Sequence, residues 1–353
     1  MREVKLINCY PPPSAIYRYA NDIHDAIDRS QIFNICYNPY KWRTSHSGND
    51  FFGIFGSHYF LNNYFYRFAF SRFHRQLARH IKSGHIVHYA SQVILPEMIE
   101  SGVEVVTFHD NPIRIFGTNL YHSADLTYIE TLLEKRAMAA MKSYRRFRNV
   151  LTDSKYVKHS LMENGFEADV NVIYPAVSRS FRPLPDKEKL RRKLGLPTDR
   201  KLILSVSSNI QRKNLAAVKQ VMERIGNSFQ LVRIGTPIGN SINFLNIDDE
   251  KVNEVYNACD VLLFPTLEEG FGYPVVEAFA TGLPVVSSNI DVINEVSAGA
   301  AILVDPMDIS GLAAAVRDCV ENKNEFRTKS LNMATKYSFE VFGRKLRSYY
   351  TNL

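Results

Sequence analysis

The sequence predicts an α/β protein with two doubly wound domains. Short apolar segments of strand length recur along the 353 residues, and segments with helical periodicity lie between them. Strands that alternate with helices are typical of parallel sheets packed against helices. A stretch at 175–200 holds four prolines and many charges, which is typical of a boundary between domains. We therefore expect a first domain over 1–177, a linker over 178–200, a second domain over 201–337 and a last helix over 338–353.

The expected elements follow in chain order. The apolar segment VKLIN predicts the first strand, and a helix from about residue 14 follows a proline-rich loop at 11–13. Tyr19, Ile23 and Ile27 share one face of this helix, as its period requires. Further strands are expected at 86–89, 103–108, 150–152, 170–174, 202–206, 230–234, 243–245, 261–264, 284–287 and 301–304. Apolar residues at helical spacing predict a final helix from about residue 339.

Composition indicates a globular protein. Hydrophobic residues make up 45% of the chain and charged residues 22%, which excludes a disordered polypeptide. The four cysteines are widely spaced, without a metal-ligand pattern, and predict free thiols in a reducing compartment. The first residues lead directly into a strand, and an apolar run of about 18 residues is absent. We therefore expect a cytoplasmic protein without a membrane span.

The net charge of +7 is unevenly distributed. Acidic residues are absent from 51 to 96, where aromatic residues alternate with arginines, and a second basic cluster follows at 142–148. Three interpretations remain open: core aromatics with a solvated basic face, a peripheral contact with an anionic membrane, or a nucleic-acid surface.

Two glutamates enclose a glycine-rich loop between two predicted strands. Glu269 and Glu277 surround the sequence GFGYPVV, which follows the strand at 261–264. Gly270 and Gly272 permit a tight turn before a helix. Free amides at the start of a helix favour an anionic group, and Glu277 could accept hydrogen bonds from hydroxyls. A nucleotide sugar has both groups; the simpler alternative is an ordinary turn with two solvated glutamates.

This stretch, continued by AFATGLPVVSS, resembles the signature of the retaining glycosyltransferases of family 4. The resemblance implies a GT-B fold, in which two Rossmann-like domains face a central cleft and a last helix crosses back to the first domain. It also implies that Glu269 lies beside the transferred sugar and that Glu277 holds the ribose hydroxyls of the donor. The backbone of Gly270, Phe271 and Gly272 would contact the sugar and the diphosphate.

A second part of the resemblance lies in the loop after the strand at 202–206. Adjacent cations there can hold a diphosphate and stabilise the charge that develops as the sugar leaves. Lys213 matches the lysine of the family, within the triplet RKN, and Arg212 precedes it. The family has an arginine five residues before this lysine, and here that position is Ser208. We expect Ser208 to lie at the donor, and whether Arg212 supplies the second cation stays open.

The strand at 103–108 ends in His109 and Asp110. Ligands of open α/β sheets bind beyond the carboxyl ends of the strands, so His109 should face the cleft. In the family, a histidine at this place contacts the transferred sugar. His109 could donate to a sugar hydroxyl, act as a base, or only cap its strand. His88, at the end of another strand, lacks a matching motif and is interpreted as structural.

The segment SAIYRYA at 14–20 resembles the GIGRY element that opens the first helix in many family members, with Ala15 in place of the usual glycine. We expect Arg18 to reach the acceptor or a phosphate; the alternative is an exposed helical arginine.

Together these features predict a hexosyltransferase that moves a mannose- or glucose-type sugar from a GDP- or UDP-linked donor to a glycan or lipid-linked acceptor. The first domain would bind the acceptor, on or near the inner face of a membrane, and the second domain would bind the donor. A DxD-like pair is missing near the predicted donor site, so we expect neither a metal nor a cofactor, with Lys213 and Arg212 neutralising the charge. The alternative is a basic protein that binds nucleic acid or an anionic membrane and keeps a vestigial site.

Overall fold

The computed structural model describes residues 2–8, 15–28, 32–36, 81–82, 84–91, 103–110 and 145–353. The proline-rich loop at 11–13, the aromatic and arginine-rich stretch at 51–79, and Lys142 lie outside the described residues. Within the described part, the strands form two parallel sheets.

The first sheet comprises six described strands in the order β2-β1-β3-β4-β5-β6. Their bounds are β1 Val4–Asn8, β2 Ile32–Cys36, β3 Ile86–Tyr89, β4 Val103–Phe108, β5 Asn149–Thr152 and β6 Asp169–Val172. Every pairing is parallel, from Val4 opposite Ile32 at one edge to Thr152 opposite Val172 at the other. The predicted strands are confirmed here, and β2 is a strand that sequence analysis did not predict.

The second sheet also has six described strands, in the order β12-β11-β10-β7-β8-β9. Their bounds are β7 Lys201–Val206, β8 Phe229–Ile234, β9 Ile242–Phe244, β10 Val261–Phe264, β11 Val285–Ser288 and β12 Ile302–Val304. All are parallel. Their positions agree with the predicted strands to within one residue at the start of each.

Ten α-helices lie within the described residues. Their bounds are α1 Ala15–Ala26, α2 Lys155–Glu163, α3 Lys187–Leu194, α4 Leu215–Ile225, α5 Asp249–Ala258, α6 Tyr273–Thr281, α7 Asp291–Ser297, α8 Ile309–Glu321, α9 Lys323–Ala334 and α10 Phe339–Thr351. None of these helices is long and apolar enough to cross a bilayer.

The segment between the two sheets is partly helical. Helix α3 lies within the expected linker and packs against the second domain, where Leu190 and Leu194 contact the core. Its buried Arg191 donates to Asp260 Oδ2 at 2.6 Å and to the carbonyl of Ala258 at 2.9 Å. Helix α3 is therefore held against the second domain. The bounds of the two domains stay a prediction.

The last helix belongs to the core of the first domain. Phe342, Leu346 and Tyr350 of α10 are buried in the same apolar cluster as Tyr19 and Ile23 of α1. A buried polar chain supports this contact. His88 of β3 pairs with the Tyr350 hydroxyl and lies 2.7 Å from Thr107 Oγ1, and burial lowers the pKa of His88 to about 3. His88 thus joins the last helix to the first sheet as a neutral side chain, which agrees with its structural interpretation.

The loops after β7 and β10 meet where the strand order of the second sheet reverses. These two strands are neighbours, but the chain continues from β7 towards one edge of the sheet and from β10 towards the other. The loop after β7 ends in a 3₁₀ turn, Gln211–Lys213, and the loop after β10 carries Glu269. Open α/β sheets bind their ligands in the crevice at such a switch point.

Candidate active site

The glycine loop of the second domain touches the end of strand β4 in the first. A Cβ placed on Gly270 would lie only 1.6 Å from the carbonyl oxygen of His109, so a side chain cannot be accommodated there. Gly272 has φ +96° and precedes helix α6, in which Pro274 occupies the second position. The two glycines therefore serve different purposes: one allows the approach of the two domains, and the other allows the turn into the helix.

Glu269 lies at the centre of a compact ionic cluster. Its carboxylate pairs with Lys213 Nζ, accepts from Arg212 Nη1 at 2.9 Å, and lies 2.8 Å from Thr266 Oγ1. Burial would raise the pKa of Glu269, but the charges of Lys213 and Arg212 outweigh this effect and lower the pKa. Glu269 is therefore ionised although only 6% of it is exposed. The structure brings three of the predicted catalytic residues together on the two loops at the switch point.

Glu277 is contacted from both domains. Its Oε1 accepts from Arg18 Nη1 at 3.1 Å, and its Oε2 accepts from the Tyr256 hydroxyl at 2.7 Å. Asp249, at the start of α5, is 3.7 Å from the same Arg18 nitrogen. Arg18 is thus not simply an exposed helical arginine: it is an interdomain partner of the glutamate predicted to hold the ribose.

His109 is held by two acceptors. Its Nδ1 lies 2.6 Å from Asp153 Oδ2, and its Nε2 lies 2.7 Å from the carbonyl oxygen of Ala90. A backbone carbonyl only accepts, so Nε2 carries a proton, and the neighbouring Asp153 carboxyl group favours a second proton on Nδ1, which makes the ring an imidazolium. Burial would lower the pKa of His109, but the charge and hydrogen bond of Asp153 raise it overall. In this state the ring has no lone pair for a base, and it places a positive charge beside the glycine loop, a role that sequence analysis did not consider.

Asp110 follows His109 and lies against the glycine loop. A Cβ on Gly270 would be 2.7 Å from Asp110 Oδ1. Burial, assisted by the charge of Glu269, raises the pKa of Asp110 to about 6. The junction between the domains thus contains a carboxyl group that titrates close to neutral pH.

Two predicted donor-binding residues, Ser208 and Phe271, lie in very different surroundings. Ser208 is exposed, in the first part of the loop after β7. The side chain of Phe271 is 3% exposed and packs in the core of the second domain against Tyr174 and Tyr337. Only the backbone of Phe271 is therefore available to a ligand.

Sequence analysis did not assign three residues that hold this site together. Asp153 fixes the charge of His109, and Thr266 contacts Glu269. Ser154 donates from Oγ to the carbonyl of Gly270 at 2.7 Å and also caps helix α2 by accepting from Val157 N. The sequence TDS directly before a helix is an N-cap signal, which would have located Ser154 but not its contact with the other domain.

Comparison with known proteins finds similar sequences and similar structures. Residues 186–338 match the model of the family "glycosyl transferases group 1". The O-antigen chain mannosyltransferase RfbU of Salmonella typhimurium is 28% identical over 206 residues, covering 56% of this chain and 58% of that protein. The O-antigen chain mannosyltransferase B of Escherichia coli is 34% identical over 116 residues, covering 32% of this chain and 30% of that protein. The chain is therefore similar to the glycosyl transferases of group 1 over the part that forms the second sheet.

The chain spans little more than half the length of the first of these curated relatives and less of the second. Solved structures match it over its whole length. Sucrose-phosphate synthase from Thermosynechococcus elongatus has a TM-score of 0.79 at 16% identity and covers 100% of this chain and 99% of its own. Anabaena HepE, solved with UDP and glucose, has a TM-score of 0.78 at 14% identity and covers 100% of both chains. These likenesses confirm the predicted fold: two Rossmann-like domains of the GT-B type facing a central cleft.

Groups of three or more His, Cys, Asp or Glu side chains arranged to hold a metal ion do not occur among the residues that the structure describes. The candidate site instead holds the cations Arg18, Arg212, Lys213 and His109, set among carboxylates.

Proposed function

We propose that this protein transfers a hexose from a nucleotide diphosphate sugar to a glycan or lipid-linked acceptor, with retention of the anomeric configuration. The observation that carries the proposal is the cluster of Glu269, Lys213 and Arg212 at the switch point, held against His109 of the other domain. The three clustered residues belong to the second domain and His109 to the first, so charged groups from both sides of the cleft lie near each other.

In this proposal the cations act on the leaving group. Lys213 and Arg212 already lie at one loop, so a diphosphate bound there would meet two positive charges without rearrangement of the backbone. Glu269 would orient the sugar, Glu277 the ribose, and the imidazolium of His109 would add positive charge on the acceptor side. The backbone amides that follow Glu269 would contact the sugar and the diphosphate at the start of helix α6.

In the same proposal, the transfer reaction does not require a metal ion. Two protein cations beside the leaving group supply the charge that a divalent ion supplies in other transferases. We expect turnover to continue in the presence of a chelator. Loss of activity with a chelator, restored by a divalent cation, would contradict this part of the proposal.

For the donor we propose GDP-mannose first and a UDP-linked hexose second. Mannose is suggested by the names of the curated relatives, which are mannosyltransferases of O-antigen chains. UDP-glucose is suggested by Anabaena HepE, which has been solved with it. The acceptor would then be a growing surface glycan or its lipid-linked precursor.

A donor panel tests the proposal. GDP-mannose, UDP-glucose, GDP and UDP are added to the full chain, and both the melting temperature and the release of nucleoside diphosphate are measured. One donor should stabilise the protein in proportion to its concentration and be hydrolysed slowly, because a ligand that binds the native state raises its stability. Proton NMR of a transferred product then gives its anomeric configuration. If every nucleotide sugar leaves the melting temperature unchanged, the enzyme proposal fails.

Contact with a membrane remains a proposal about the stretch at 51–82, most of which lies outside the described residues. Aromatic residues and arginines occur there together without acids, and each basic residue near anionic lipid contributes about 1 kcal/mol. Flotation with vesicles containing phosphatidylglycerol should carry the protein at low salt. Replacing Arg72, Arg75 and Arg79 with glutamine should weaken this binding. Absence of flotation at low salt would favour a soluble acceptor.

The alternative of a basic binding protein with a vestigial site is not favoured. A vestigial site is expected to lose charged groups, whereas Glu269, Glu277, Lys213 and His109 are all present and in contact with partners. The family match covers the domain that contains three of these four residues.

A further inference from the structure

Arg233 is a buried cation with no acidic partner among the described residues. It lies on strand β8 opposite Ser205 of β7, and its side chain is 0% exposed. Its Nε donates to the carbonyl of Thr236 at 2.8 Å, its Nη1 to Ser205 Oγ at 3.1 Å, and its Nη2 to the carbonyl of Ser207 at 3.0 Å. All three acceptors are neutral. Burial lowers the pKa of Arg233, and no carboxylate among the described residues acts against this effect.

The position of Arg233 connects it with the donor loops. Its three acceptors belong to the carboxyl ends of β7 and β8 and to the residues directly after them. Gly235 has φ +142°, and a Cβ there would lie 2.3 Å from the Ser207 carbonyl and 2.9 Å from Arg233 Nη2. The glycine therefore allows the second loop to close over the guanidinium. Arg233 holds together the start of the loop that ends in Arg212 and Lys213.

A buried charge that has only neutral partners is unfavourable unless an anion compensates it. Two observations indicate where that anion would lie. The Oγ of Ser207 is buried and has no hydrogen-bond partner in the described part of the chain, so a donor is free at this turn. The next residue is Ser208, at the position where the family has an arginine, so the loop itself lacks a cation there.

We propose that Arg233 is a positioning residue for the donor diphosphate: it fixes the turn at Ser207 and supplies, from the strand behind the loop, the positive charge that position 208 lacks. The inference rests on the proposed function, because it requires a nucleotide diphosphate at the ends of β7 and β8. If this inference is right, Arg233 favours binding of a nucleoside diphosphate over the monophosphate, because the second phosphate adds negative charge near the guanidinium.

Calorimetry with the full chain tests this selectivity. The probes are GDP and GMP, or UDP and UMP if the donor is UDP-linked, and the measured quantity is the ratio of their Kd values. Arg233→Met should reduce the preference for diphosphate by about tenfold or more, which is the effect of about 1.4 kcal/mol. Arg233→Lys keeps the charge and should retain most of the preference. Arg224→Met removes an exposed arginine at the end of α4 and should leave the ratio unchanged.

If Arg233→Met does not fold, Arg233→Gln takes its place, because it is also neutral but can still donate to the Ser207 carbonyl. A merely structural arginine would give equal losses for diphosphate and monophosphate in the neutral variant, and that result overturns the inference. An unchanged diphosphate Kd overturns it as well. If the wild-type protein binds none of the four nucleotides, the proposed function fails instead. Restoration of the preference by Ser208→Arg in the Arg233→Met background would support the assignment of the missing charge to position 208.

Discussion

Arg18 of the first domain and Glu277 of the second form an ion pair across the cleft, with 3.1 Å between Nη1 and Oε1. Sequence analysis assigned the first to the acceptor and the second to the ribose of the donor. Their contact joins these two assignments, because a ribose that hydrogen-bonds to Glu277 must share the carboxylate with Arg18 or displace it. Donor binding and the closure of the two domains are therefore expected to depend on the same carboxylate.

We expect Glu277→Gln to weaken binding of the nucleoside diphosphate by about 10- to 100-fold. A hydrogen bond to a charged group contributes roughly 1.5–3 kcal/mol, and the variant loses the charge that both Arg18 and the ribose would contact. Calorimetry with GDP or UDP measures the change. The matched control is Glu295→Gln, which alters another interdomain carboxylate, bonded to the backbone of Lys155 and Tyr156, outside the proposed donor site. Equal effects of the two variants would contradict the assignment of Glu277 to the ribose.

Lys213→Ala should reduce kcat by about 100-fold or more, since removal of a preorganised partner of the developing charge typically costs a few kcal/mol in the transition state. Arg212→Ala tests whether the neighbouring cation has the same importance. Steady-state kinetics with the donor identified by the panel provide the measurement. Lys219→Ala, in the exposed face of α4, is the control and should retain the wild-type rate. A Lys213→Ala variant with nearly normal kcat would show that the leaving group is stabilised elsewhere.

In the Asp153→Asn variant, His109 should become neutral at a lower pH than in the wild type, because the carboxylate that raises its pKa is gone. In the wild type the pKa of His109 is raised above 6.5 because the Asp153 carboxylate outweighs burial. This pair stabilises the fold fully below pH 6.5, and the contribution is lost as the pH rises through the higher pKa of the folded state. The variant should therefore lose about 3–5 kcal/mol of unfolding free energy at pH 6 and less at pH 9. Denaturant titrations at both pH values measure this, with the exposed Asp169→Asn as the control.

Asp22→Asn should stabilise the protein at pH 8. Burial raises the pKa of Asp22 to about 7, although Arg18 and Arg179 act against it, and Asp25 and Asp249 add to the shift. Between about pH 4 and pH 7 the folded state binds more protons than the unfolded state, so stability falls as the pH rises through this window. The variant removes this loss and should gain about 1 kcal/mol at pH 8 but little at pH 4. Asp25→Asn, a more exposed carboxylate on the same helix, should show no such gain.

Much of the fold followed from local patterns. Buried parallel strands such as Val261–Phe264 are continuous apolar runs, and their limits are visible in the sequence. Strand β2, Ile32–Cys36, did not give as clear a pattern, since its apolar residues are interrupted by Asn34. Helix α3 was hidden in a segment rich in charge and proline, because its stability depends on packing of Arg191 and two leucines rather than on an apolar face.

For the site, sequence analysis proposed residues that the structure brings close together, but it did not predict the partners that hold them. A spacing can indicate that Glu269 and Lys213 belong to adjacent loops, but it does not reveal that Glu269 is held by two cations and Thr266 at once. The protonation of His109 depends on Asp153, 44 positions further along the chain, and on the carbonyl of Ala90. Such relationships arise from the arrangement of strand ends in space. Arg233 is the clearest example, because an arginine inside a strand gives no signal of burial.

Because helix α10 packs in the core of the first domain, that domain cannot complete its folding until the end of the chain has been synthesised. Phe342, Leu346 and Tyr350 complete an apolar cluster whose other members include Val4, Leu6 and Tyr19, more than 300 positions earlier. The ribosome therefore releases nearly the whole first domain long before the residues that close its core exist. Until then, the face of α1 that packs against α10 in the finished protein is exposed to chaperones and to other nascent chains. The second domain, which draws its core from a continuous stretch, is made in the interval and can fold before its neighbour is finished.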